Sequence, residues 1–239
     1  MQPLKVTFHL GSPVTVNSER PLHLDALLAA AVSKEMEALG SENPWAQAED
    51  LSSYLGRTEP DADGQWVWQA SALHFDPVGR FDALFVSANM VRKSDPDRYY
   101  DDLSAGYWAS DRALNPQTYK IDTMSGQQRG YQWVAQAKLF RSATAWAIGD
   151  IDGLRDALGQ IGHIGKLGRN GNGRITHVSV EPCAPEGRDN WKLRTLPKGY
   201  PGKSGVDYAA VHANLRAPYW RQIDRVEAQE PITLDLCSI

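Results

Sequence analysis

Between residues 162 and 174 the chain reads Gly-His-Ile-Gly-Lys-Leu-Gly-Arg-Asn-Gly-Asn-Gly-Arg, five glycines in 12 positions together with three cations. Regular structure does not persist at that glycine density, because each glycine adds backbone freedom that ordering must remove. A run of glycines serves a special backbone conformation, or a close approach that a Cβ would block. The flanks are regular. Ile151 to Ile161 carries a helical pattern with Asp150 or Asp152 as its cap, and Ile175 to Val180 alternates as a strand. The stretch is thus a helix-to-strand loop at one rim of a sheet.

The rest of the chain supplies the other elements. Lys5 to Leu10 places Val6, Phe8 and Leu10 on one side of a half-buried strand. After Pro21, the residues Leu22, Leu24, Leu27, Leu28, Ala31, Val32 and Met36 recur at helical spacing, with Gly40 as the stop. Residues 41–64 carry turn formers and read as a loop, with a short helix near Ala46–Leu55. Trp66–Phe75 and Phe81–Met90 are predicted strands joined by a hairpin at Asp76–Arg80. Residues 92–130 mix cations and aromatics with few aliphatics and form a long insertion. Tyr131 to Ala147 is a further strand. The order β-α-β-β-α-β predicts an α+β, ferredoxin-like (RRM-like) fold. Its parts are 1–91, the insertion 92–130, 131–182 with the loop, and an extended tail, 183–239, that packs on the core or on a partner subunit.

Charge is unevenly spread. Net charge is −4 overall, yet residues 161–225 hold 11 basic against 5 acidic side chains, whereas residues 1–90 hold 5 against 12. Local field governs phosphate attraction, so a polyanion would meet the basic segment. The plainer alternative is a solvated surface with scattered charge. No stretch approaches 18 apolar residues, which excludes a helical membrane span. The start, MQPLKVTFHLGSP, reads as a strand and not as a signal peptide. Cys183 and Cys237 lack metal-ligand spacing, and a reducing cytoplasm is the expected setting.

Within the loop, successive N–H groups could form an anion-binding concavity, with Lys166, Arg169 and Arg174 adding charge-assisted contacts. Nucleotide fingerprints do not fit. Lys166 is followed by Leu167 where a Walker loop needs Ser or Thr, and the loop follows a helix where a dinucleotide fold needs it to precede one. A plain flexible connection is the competing explanation.

The glycine loop before the last core strand, Gly165 through Gly173 followed by Arg174-Ile-Thr-His-Val-Ser-Val, resembles the signature of the CRISPR RAMP superfamily. The segment Pro21-Leu-His-Leu-Asp-Ala-Leu-Leu-Ala-Ala-Ala-Val is similar to the opening helix of the small RAMP subunit in type IV effector complexes. That resemblance implies a non-catalytic subunit that caps the backbone filament at the 5′ handle of the guide crRNA, for RNA-guided DNA targeting. It implies phosphate contacts from Lys166, Arg169, Asn170, Asn172 and Arg174. It assigns Arg92, Lys93, Arg98, Lys120 and Arg129 to a thumb-like insertion, with Tyr99 and Tyr100 as stacking platforms. The implied partners are the guide crRNA, the backbone RAMP subunits and the large subunit, with target DNA near the protospacer-adjacent motif as a further one. No cofactor is implied.

Two other functions compete. An RNA endonuclease maturing the guide would use His163, which flanks the loop, with a second group in hydrogen-bond reach. A nucleotide- or anion-binding protein would use the loop alone. Asp95, Asp97, Asp101 and Asp102 cluster in the insertion, but lack the Gly and Glu of a calcium loop and read as a solvated loop tip. Trp66 and Trp68 share a face of their predicted strand and read as core or interface, and Trp108 as a stacking or packing residue.

Overall fold

A computed structural model describes residues 1–15, 20–89, 105 and 131–232, with side chains at 79–89 and 131–135 excepted. It divides into two compact units, 1–83 with 137–239, and 84–136. The first carries the central strand and the helices that cover it.

Strand β1, Gln2–Leu10, is central because it finds partners on both sides. It pairs antiparallel with β3, Tyr131–Gly149, and antiparallel with β4, Ile175–Pro182. The sheet order is β2-β3-β1-β4, with β2, His74–Asn89, on the far edge. Alternation does what period two requires: Leu4, Val6 and Phe8 are fully buried while Lys5 and His9 are exposed. Each buried side chain contributes about 1.5–3 kcal/mol relative to exposure.

Helices cover the inward face. Helix α1, Leu24–Ala38, buries Leu24, Leu28, Ala29 and Val32, and α3, Ile151–Gly159, buries Leu154, Ala157 and Leu158 in the same cluster. Asp150 caps α3, its carboxylate accepting from the Gly153 N–H at 2.8 Å. A five-residue helix α2, Pro44–Ala48, is capped by Asn43 and is shorter than the predicted Ala46–Leu55 helix.

Three expectations are corrected. The hairpin at Asp76–Arg80 does not form; β2 runs through it as one strand. Pro77 is tolerated because an edge strand leaves one side unpaired, and Asp76 pairs with Arg141 of β3 at 3.4 Å. The strand expected over Trp66–Phe75 is mostly irregular. Its amides go to separate partners, Gln69 to Gly56, Ser71 to Trp146, Ala72 to Leu193 and Leu73 to Leu22, and Val67, Trp68, Ala70, Ala72 and Leu73 are all buried.

The third correction is to the extended tail. Beyond a 3-10 turn at Pro185–Lys192, the strands β5, Leu196–Pro197, β6, Tyr208–Ala213, and β7, Val226–Pro231, form an antiparallel sheet in the order β5-β7-β6. Trp191, Leu196, Leu215 and Ala228 form a second small core with Val67.

Candidate nucleic-acid interface

The glycine-rich loop is a folded turn pinned against residues 11–15. Ser12 clamps it at two points: its hydroxyl donates to the Gly171 carbonyl at 2.7 Å and accepts from the Arg174 N–H at 2.8 Å. The Gly173 N–H donates to Pro13 and the Lys166 N–H to Thr15, both at 2.7 Å. Ile164 donates to Gly173 at 2.8 Å and is fully buried, which anchors the turn to the core. A Cβ on Gly173, at φ +64°, would overlap the Ile164 carbonyl, so glycine is required there by close approach as well as by conformation.

This geometry takes residues 170–175 out of any concavity of bare amides. The N–H groups of Asn170, Gly171, Asn172, Gly173, Arg174 and Ile175 all donate within the chain. Any grip on a phosphate by this part of the turn therefore falls to side chains. Lys166, Arg169, Asn170 and Arg174 are exposed, and no described residue is ion-paired with the three cations. Asn172 is the exception among the five loop residues. It is 6% exposed, and its Nδ2 has no partner among the described residues. A place for Asn172 on the outer phosphate-facing surface is thus corrected to an inward one.

Arg92, Lys93, Arg98, Tyr99, Tyr100, Lys120 and Arg129 lie outside the described residues, as do Trp108 and the four insertion aspartates. His163 is exposed and lies against the turn, its Cβ 3.1 Å from where a Cβ on Gly168 would stand. Among the described residues no group of three or more His, Cys, Asp or Glu could hold a metal ion.

The most heavily bonded cation of the described chain was not legible as a site. Arg194 is fully buried and donates to the carbonyls of Trp68 at 2.6 Å, Ala70 at 2.9 Å, Thr195 at 3.1 Å and Leu215 at 2.6 Å. It also reaches the Tyr219 hydroxyl at 2.8 Å and the buried carboxylate of Asp25 at 3.5 Å. Tyr219 donates to Asp25 at 2.8 Å and stacks on His23 at 4.5 Å between ring centroids. Burial pushes the Asp25 carboxyl up, with Arg194 and Tyr219 opposing it. Burial holds the His23 imidazole well below its ordinary value, and Arg194 adds to that. This node fastens the start of α1 to segments 194–195 and 215–219. The signal was available: Asp25 stands one turn from Leu28 and Ala29 on the buried stripe of α1, where a carboxylate needs a partner.

The family model for the CRISPR type IV associated protein Csf3 matches residues 2–231. No curated protein matches the chain. The match spans nearly the whole sequence, so the chain belongs to the Csf3 family and is a type IV CRISPR-associated, RAMP-like subunit. Membership implies association with the other subunits of a type IV effector complex.

Proposed function

From membership of the Csf3 family as premise, we propose that the chain is a non-catalytic RNA-binding subunit that holds the 5′ handle of the guide crRNA and caps the backbone filament for RNA-guided DNA targeting. The observation that carries this is the pinned turn with Lys166, Arg169 and Arg174 exposed and no described acid paired with any of them. Solvated cations on a rigid backbone are preorganised for phosphate, because neither an internal ion pair nor a loose loop has to be given up first. The sheet order β2-β3-β1-β4 with antiparallel pairs around β1 supports a ferredoxin-like RAMP core, and the thumb-like insertion falls between β2 and β3 in the sequence.

Binding of single-stranded guide RNA, measured against salt, tests the proposal. A triple variant, K166A with R169A and R174A, removes up to three phosphate contacts. The slope of log affinity against log salt should then flatten by about 2, at roughly 0.7 per phosphate for a single strand. Affinity and slope equal to the wild type would remove the turn from the RNA interface. Incubation with repeat RNA should give no discrete cleavage products, and products lost in His163→Ala would make the chain a nuclease instead.

A further inference from the structure

Beside the pinned turn lies a groove of about 420 Å³, within the size range of small-ligand sites. One wall is apolar, from Pro21, Leu22, Leu27 and Phe75. Lys166 of the turn and Arg20 stand on its lining, and none of the described lining residues is acidic. Trp220 completes it and is 71% exposed, a large aromatic surface left in water. Its neighbour Tyr219 is fixed through its hydroxyl to Arg194 and Asp25, so the backbone that carries Trp220 is anchored in the buried node.

We propose that this groove takes one unstacked base of a single-stranded RNA, which stacks on Trp220 while its phosphate meets Lys166 and Arg20. The proposal rests on the RNA-binding function above and adds a subsite to it. The combination of apolar wall, exposed aromatic and two cations without a lining carboxylate matches a nucleotide, which joins a flat aromatic face to an anion. A peptide partner would have to bring its own acid to meet the two cations. Lys166 ties the groove to the turn, so a strand held by the turn's cations would run directly into it.

The test is binding of a short single-stranded oligoribonucleotide carrying a fluorescent purine analogue at successive positions, using the full chain. Trp220→Ala should weaken binding roughly 5- to 150-fold, the range for losing one base–aromatic stack. It should also abolish the fluorescence response at one position while leaving the salt slope unchanged, and Trp220→Phe should retain most of both. Trp220 is largely exposed, so folding tolerates either change. If Trp220→Ala binds within twofold of wild type while the triple cation variant loses salt slope, the subsite is wrong and the turn remains the RNA contact. If neither variant changes binding, both fail. If Trp220→Ala spares RNA but loses co-purification with a backbone subunit, the groove is a protein contact and the subsite is overturned.

Discussion

The pinned turn and the buried node both place cations on irregular backbone, and they treat them in opposite ways. Arg194 meets four carbonyls, a hydroxyl and a carboxylate and is fully buried. Lys166, Arg169 and Arg174 sit on a turn pinned to residues 11–15, with their own charges in water and no described acid paired with them. A desolvated charge must be fully satisfied within the chain or it destabilises the fold. An exposed cation carries no such requirement, so its contribution is left for a partner. The difference separates charge that organises the fold from charge offered outward, although both kinds fall in the one basic stretch of sequence.

If that separation holds, the largest effect lies at the node. Arg194→Ala strands a buried carboxylate and should lower unfolding stability by about 3–5 kcal/mol, measured by denaturant titration. The double change Asp25→Leu with Arg194→Met should recover only part of the loss, because it removes the stranded carboxylate but leaves four carbonyls without their donor. No recovery would mean that the carbonyl contacts of Arg194, and not its charge pairing, hold the tail.

Next in size is Gly173→Ala, which adds a Cβ against the Ile164 carbonyl at a left-handed φ. It should cost roughly 2–3 kcal/mol, from backbone strain and overpacking together. Loss of stability below ~1 kcal/mol would show that the turn is not pinned as described.

Acid should loosen the node by a smaller amount. His23 is buried with its pKa lowered, so below the ordinary histidine value the unfolded chain binds a proton that the native state refuses. Stability should be complete above about pH 6.5 and fall as pH drops beneath it, by up to about 1.4 kcal/mol per pH unit. Asp25 has the opposite sign in more acid solution. Its carboxyl is raised by burial, so the native state takes up that proton first and its contribution grows as pH falls toward the unfolded value. Comparing wild type with His23→Gln between mildly acid and neutral pH isolates the histidine. Parallel stability curves would remove His23 from the linkage.

The smallest effect belongs to Gly171→Ala. That residue has φ +85° but open space where a Cβ would go, so only conformation opposes it. About 1–2 kcal/mol is expected, below the Gly173 change, and RNA binding should persist. A loss of RNA binding with stability intact would mean that a strand passes directly over Gly171.

Local pattern made much of the first sheet legible. Val6 and Phe8 alternate, Leu24, Leu28 and Val32 repeat at helical spacing, Asp150 caps α3, and the strands at Tyr131 and Ile175 follow from local pattern with nearly their observed bounds. Elements set by partners distant in the chain were not. Nothing local says that Asp76-Pro77 continues a strand, since an edge position is a property of the sheet. The strands Tyr-Ala-Ala-Val-His-Ala and Val-Glu-Ala-Gln-Glu-Pro have weak apolar alternation and become a sheet by pairing with each other. In the turn, the glycines and cations were plain, but the engagement of the amides was hidden. It depends on Ser12, Pro13 and Thr15, about 150 residues earlier in the chain. Arg194 is indistinguishable from the surface cations in sequence for the same reason: its acid, Asp25, lies 169 residues away.

Crosslinking of guide RNA to protein in the assembled effector complex, with crosslinked peptides identified by mass spectrometry, tests the outward role of the turn most directly. The 5′ handle should crosslink to peptides that contain Lys166, Arg169 or Arg174. Handle crosslinks confined to other surfaces, with none between residues 162 and 174, would contradict it.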